Sequence, residues 1–205
     1  MLDILDRNGV RPRQVCEVGC GAGEVLAQLH QRMPDDVEFT GWEVSPQAFE
    51  MCRTRQAERL AFRLGDFLSD GDRCELLLLM DVIEHMEDYR GFLRAAADRA
   101  DRIVLHVPLD LSSLAVAQIV RLRNPHDLLG HIHFFTKETL LDALADCGLS
   151  VIDSFFTDSA GQYPTPPSLQ AKLLRLSQRM LRSASVDVAA RLLGGMSIMI
   201  LTERS

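Results

Sequence analysis

Strand-like apolar runs and helical periodicities alternate along most of the chain. Residues 13–19 (RQVCEVG) read as a buried strand, followed by a helix over about 22–33. A second strand at 37–44 (VEFTGWEV) leads into Ser45-Pro46, where the serine suits an N-cap and the proline a first helical position. A short third strand follows at 60–66 (LAFRLGD). The uninterrupted apolar run at 74–81 (CELLLLMD) is the pattern of a central parallel strand covered on both faces. A helix over about 89–99 and a strand at 102–108 (RIVLHVP) come next. Thr136 caps a further helix, whose Leu140, Leu141, Leu144 and Cys147 share one face and which Gly148 ends. Residues 149–156 and 197–203 close the series as strands. This alternation predicts a doubly wound α/β sheet. Ligands in such sheets bind beyond the carboxyl ends of the strands, so the residues there carry the functional reading.

Composition narrows the class without choosing a chemistry. The 205 residues suit one domain with its own core, and the 47 % hydrophobic and 25 % charged fractions are ordinary for a globular protein. No apolar run approaches the roughly 20 residues of a membrane span, and the N-terminus lacks a signal-peptide pattern. Five cysteines at irregular spacing argue against a disulfide framework. The expectation is a reduced, cytoplasmic protein. A net charge of −7 disfavours nonspecific nucleic-acid binding. The charge is uneven, with residues 160–205 carrying +4 and the remainder −11.

After the first strand comes Glu17-Val-Gly19-Cys-Gly21-Ala-Gly23, a turn in which glycines let backbone approach a ligand closely. A dinucleotide fingerprint would need its third glycine at position 24, which is Glu24. An acid there is also electrostatically poor beside a pyrophosphate. With only two lysines, Lys137 and Lys172, there is no phosphate-binding G-x-x-x-x-G-K loop either. After the second strand comes Glu43, 22 residues past Gly21, where a carboxylate can accept from both hydroxyls of a ribose. Gly65-Asp66-Phe67 follows the third strand, and Asp81-Val-Ile-Glu84-His85 the fourth. A ligand with adenine, ribose and a cationic amino-acid-like tail, but no phosphate, suits this set.

E-x-G-C-G-x-G, an acid after the second strand, then GDF and DVIEH, resembles the class I S-adenosylmethionine-dependent methyltransferases. The segment GHIHFFTKETLLDALADCGL is similar to its small-molecule branch, which includes quinone-biosynthesis methyltransferases. The match runs from about Val15 to Phe156. The resemblance implies a seven-stranded Rossmann-like sheet of order 3-2-1-4-5-7-6 with strand 7 antiparallel, and S-adenosylmethionine as cofactor. It implies backbone contacts to the methionine portion from Gly19 and Gly21, with Glu17 supporting the turn. Glu43 would bind the ribose hydroxyls and Asp66 would face the adenine amine. Phe67 would lie against the base or supply backbone contacts, and Asp81 or its carbonyl would sit near the methionine amine.

His85 lies where the methyl acceptor should arrive. Its imidazole could take a proton from a hydroxyl, or it could be a structural histidine at the pocket edge. DVIEH in place of [DN]-P-P-[YF] disfavours amino-group methylation of nucleobases. The acceptor implied is a small or lipid-like molecule, with a hydroxyl favoured. A non-catalytic S-adenosylmethionine-binding module and an NAD or nucleotide-sugar enzyme are the alternatives. His106, His126, His131 and His133, with Asp127 nearby, fit no recognised zinc spacing, and no metal is expected.

Two features depart from the minimal pattern. The first strand starts so early that the N-terminal helices often covering the acceptor are expected to be missing. A helical insertion at about 160–195 separates the last two strands of this one domain. Within 168–183, Leu169, Leu173, Leu176 and Met180 share one face, and Lys172, Arg175, Arg179 and Arg182 another. Such a helix could touch an anionic membrane peripherally or, as the favoured expectation, pack on its own domain with its charges solvated. Oligomeric state is not readable.

Overall fold

The computed structural model describes residues 1–71, 73–118, 120–158 and 169–205, with backbone alone at 120–122, 124–125 and 169–175. Seven strands form one sheet: β1 (Gln14–Val18), β2 (Glu38–Glu43), β3 (Leu60–Leu64), β4 (Cys74–Met80), β5 (Ala100–Pro108), β6 (Leu149–Asp158) and β7 (Met196–Arg204). Their order is β3-β2-β1-β4-β5-β7-β6. β7 runs antiparallel to both β5 and β6, while all other pairings are parallel. This is the expected Rossmann-like topology. The chain reverses strand order beside β1 and β4, so the crevice opens where their carboxyl ends diverge.

The leucine run explains why both faces are covered. Successive strand residues point to opposite sides. Leu77 and Leu79 therefore join Ile103, Leu105 and Ile200 in one core, and Leu76 and Leu78 join Val15, Val104 and Leu201 in the other. The first core is closed by α5 (Tyr89–Ala97) through Phe92 and Leu93, and by α8 (Lys137–Asp146) through Leu140 and Leu144. The second is closed by α2 (Glu24–His30), by α3 (Pro46–Cys52) and by α1 (Leu2–Arg7). The capping reading holds locally: Ser45 Oγ accepts from the Ala48 N–H, and Thr136 Oγ1 from the Thr139 N–H.

Several short elements escape the periodicity. α1 is one, a six-residue helix that buries Ile4 and Leu5 completely or nearly so. The others are α4 (Phe67–Asp70), α6 (Ser113–Ala117), α7 (Val120–Leu129) and a single 3-10 turn at Ile83–His85. Each is too short or too polar for a repeating apolar stripe to stand out.

Between β6 and β7 lie α9 (Leu169–Ala184) and α10 (Val186–Leu193), within the helical insertion expected at about 160–195; residues 159–168 fall outside the described residues. The helix α9 packs on its own domain, as the favoured expectation has it, but by a polar side that includes Arg182 and not by its apolar one. Its described apolar residues Leu176 and Met180 are 55 % and 65 % exposed. The inward side is polar instead. Gln178 donates to the Gly194 carbonyl at 3.2 Å, and Arg182 to Asp158 and the Gly195 carbonyl at 2.8 Å each. The backbone carbonyls of the glycine pair before β7 create acceptors that only such donors can satisfy. Among the described residues, no helix is long and apolar enough to cross a membrane.

Candidate active site

The glycine turn is held by backbone hydrogen bonds to β2. Gly19 and Cys20 both donate to the Trp42 carbonyl, at 2.8 and 3.2 Å, and Gly23 donates to Cys20 at 2.8 Å. Gly19, Gly21 and Gly23 all have positive φ. Their reasons differ. A Cβ at Gly23 would lie 2.5 Å from the Phe62 ring, so that glycine serves packing. A Cβ at Gly21 would meet nothing within 4 Å, which leaves its outward side open to a ligand.

Glu43 ends β2 at 7 % exposure, and its carboxylate is already oriented. Oε2 accepts from the Gly21 N–H at 2.8 Å and Oε1 from the Ser45 N–H at 2.9 Å. Each oxygen keeps a second lone pair, so two acceptor sites face outward from the turn. Glu17 lies beneath, 2 % exposed, with Oε2 unpartnered. Burial, and then the neighbouring Glu43 charge, raise its pKa to about 8, so it is held neutral at physiological pH.

At the end of β3, Asp66 caps α4, accepting from the Leu68 N–H at 2.9 Å and from Ser69 Oγ at 3.0 Å. The Phe67 ring turns inward, 1 % exposed and edge-on to Trp42, with centroids 6.2 Å apart. Its side chain is part of the core and offers no face to a base; only backbone is available to a ligand there. Sequence reading missed two apolar side chains at these strand ends, Leu64 and Val44, which are 50 % and 70 % exposed. Their signal is a large aliphatic residue at a strand's carboxyl end with nothing to bury it.

Asp81 follows β4 with φ 54°, a left-handed conformation uncommon for a residue with a side chain. Its Oδ1 accepts from Nδ1 of His106 on β5 at 2.7 Å, and Nε2 of that ring accepts from Thr157 Oγ1 on β6 at 2.8 Å. His106 is thereby assigned to a chain of hydrogen bonds across the sheet. Asp81 retains its backbone carbonyl and its second carboxylate oxygen.

The 3-10 turn after β4 presents Glu84 inward and His85 outward. Nδ1 of His85 donates to the Gly130 carbonyl at 3.1 Å, which leaves Nε2 with a free lone pair. The Glu84 backbone carbonyl accepts from the N–H groups of Ile132 and His133, at 2.8 and 3.1 Å, and so pins that segment over the turn. His131 is thereby buried against His85, with ring centroids 5.0 Å apart, and its Nδ1 donates to Asp110 at 2.8 Å. The Glu84 carboxyl is fully buried with neither oxygen partnered, and burial raises its pKa to about 8. His133 and His126 part from this group. His133 donates to the Met86 carbonyl at 2.9 Å, and His126 pairs with Asp127 on the surface.

Comparison with known proteins adds a family to this geometry. A family model described as "Methyltransferase domain" matches residues 1–154. No curated protein sequence matches the chain. Among solved structures, magnesium protoporphyrin IX methyltransferase (ChlM) from Synechocystis PCC 6803, with bound SAH, superposes with a TM-score of 0.64. It is 16 % identical, over 100 % of this chain and 80 % of that one. A SAM-dependent methyltransferase from Archaeoglobus fulgidus superposes at 0.62, 18 % identical, over 98 % and 92 % of the two chains.

Proposed function

Because the chain belongs to the methyltransferase-domain family, its reaction is S-adenosylmethionine-dependent methyl transfer, and we propose that the acceptor is a small, lipid-like molecule methylated on a hydroxyl. The observation that carries the residue assignments is the Glu43 carboxylate, seated between the Gly21 and Ser45 N–H groups with one lone pair on each oxygen to spare. Two spare acceptors side by side match the two hydroxyls of a ribose. Bound S-adenosylmethionine supplies a methyl group on a sulfonium. This chain's part is to hold and orient.

Gly19 and Gly21 would let the methionine portion lie against backbone, with neutral Glu17 beneath the turn. Leu64 and Val44 offer apolar surface to an adenine, the Phe67 backbone lies alongside, and the remaining lone pairs of Asp66 suit its amine. Asp81, through its carbonyl or free carboxylate oxygen, would face the methionine amine. On the acceptor side, His85 Nε2 is directed by the Gly130 carbonyl to receive a hydroxyl proton. Methyl transfer is an in-line displacement, so positioning supplies much of the rate. Leu128, Leu129 and Ile132, all more than two fifths exposed, border the His131 segment and favour an apolar acceptor. The exposed Leu176 and Met180 of α9, with exposed Arg179 beside them, support a peripheral contact with an anionic membrane from which such an acceptor could be taken.

Calorimetry tests the cofactor site. S-adenosylhomocysteine should bind and NAD should not. Glu43→Ala should weaken binding by about tenfold to a hundredfold, the cost of removing charge-assisted acceptors from a buried ribose. Unchanged affinity in that variant would sink the ribose assignment. A panel of hydroxylated apolar acceptors, each tried with tritiated cofactor, tests the acceptor class; transfer only to amines would refute it.

A further inference from the structure

Beside the proposed acceptor site, Glu84, His85 and His131 each offer one ligand atom, and these atoms all lie within 4.8 Å of one another. We propose that Glu84, His85 and His131 form a binding site for a divalent transition-metal ion that holds the oxygen of the methyl acceptor. This deepens the reading of the hydroxyl acceptor and rests on it.

Three independent features of the cluster point to an ion. The first is the pair of orphaned oxygens on Glu84. A fully buried carboxyl with neither oxygen partnered is rare in native proteins, and an ion is one of the few things that answers it. The second is how the imidazoles are held. Metal-binding histidines typically donate one ring N–H to a carboxylate or carbonyl, which fixes the ring and leaves the other nitrogen as ligand. His131 does so to Asp110 and His85 to the Gly130 carbonyl, and both spend Nδ1 and keep Nε2. The third is placement. The turn carrying Glu84 and His85 and the segment carrying His131 are tied by the two hydrogen bonds to the Glu84 carbonyl, so the ligands cannot drift apart freely.

The ligand chemistry selects the ion. Two neutral nitrogens and one carboxylate suit zinc, manganese, iron or cobalt better than magnesium or calcium, which prefer all-oxygen surroundings. Bonds of about 2.0–2.2 Å place ligand atoms roughly 3–4 Å apart, so atoms that lie within 4.8 Å of one another need close by no more than about 1–2 Å. Small side-chain rotations supply that. Three protein ligands leave positions open, as catalytic sites do. An acceptor hydroxyl bound at one of them would lose its proton to solvent more readily, as metal-bound water does. His85 would then act as a ligand, and its lone pair would not be the proton acceptor.

The spacing among His106, His126, His131 and His133 fits no recognised pattern and predicts no metal. The geometry groups only His131 of that set, and joins it to two residues 46 and 47 positions earlier.

The test uses the full chain, stripped with chelator and titrated with Zn²⁺, Mn²⁺ and Co²⁺ alone, with S-adenosylhomocysteine binding measured in parallel. One ion per chain is expected, with Co²⁺ giving a visible absorption band of a nitrogen-ligated centre. His131→Ala and Glu84→Gln should abolish that band, and Asp110→Asn should weaken binding about tenfold to a hundredfold while leaving all three ligands in place. His126→Ala, on the surface, should bind as the parent does. Retained affinity for S-adenosylhomocysteine marks each variant as folded. If the parent binds S-adenosylhomocysteine but no ion stoichiometrically, the metal site is refuted and the cofactor reading stands. An ion whose binding ignores Glu84→Gln and His131→Ala refutes it equally. If the ion binds and the acceptor panel gives no methylated hydroxyl, the acceptor reading fails and the site remains.

Discussion

Glu17 sits where charge is least welcome, beneath a turn that already holds Glu43. Its pKa is raised from 4.5 to about 8, first by burial and then by that neighbour. Between those values the folded chain keeps a proton that the unfolded chain has lost. The folded state then binds more protons, so its stability falls as pH rises through this window and levels off above it. Glu17→Gln removes the cost without removing the shape. At about 1.4 kcal/mol per pKa unit, the variant should gain on the order of 4–5 kcal/mol over the parent at about pH 8.5 and nothing at about pH 4. Urea denaturation of the two ligand-free proteins at both values checks this. Equal stability at the higher pH would mean that the carboxyl is ionised at little cost. At this scale the sequence is informative about which residues gather, because Glu17, Gly19, Gly21, Glu43, Asp66 and Asp81 all fall at strand ends. It is silent about which atom of each is already spent. Phe67 shows why: whether a ring after GD turns to a ligand or to the core depends on Trp42, a neighbour on another strand.

Among the elements, α9 is where local pattern and final orientation part. Its two faces are evident from spacing, yet the apolar one is outward at Leu176 and Met180 because the inner partners are backbone carbonyls of Gly194 and Gly195. No periodicity encodes that. A helix exposing leucine and methionine with arginine alongside should associate with anionic vesicles and release as salt rises. Changing both Leu176 and Met180 to serine should reduce pelleting about tenfold or more, since each buried side chain contributes roughly 1.5–3 kcal/mol. Equal pelleting on neutral vesicles, or no effect of the double change, would remove the membrane from the account. The caps behave oppositely. Ser45 and Thr136 were legible from sequence alone, because the partner of an N-cap is its own helix.

For the molecule as a whole, topology was legible because a central strand such as β4 can only be covered on both faces, and its four-leucine heart, Leu76 to Leu79, leaves no polar side to expose. The one candidate site legible least is the one assembled from three places in the chain: the turn after β4, the segment after α7, and the residues after β5 that bring Asp110 to His131. Hydrogen bonds hold these together, and sequence spacing says nothing of them. The same tie sets a clock. The amide hydrogens of Ile132 and His133 are engaged by the Glu84 carbonyl, so they trade with deuterium only when the segment lifts from the turn. Their exchange rate therefore counts openings of the acceptor side directly, in the absence of any turnover. If an ion bridges the turn and the segment, adding it should slow these two amides while leaving those of the solvent-facing end of α3 unchanged.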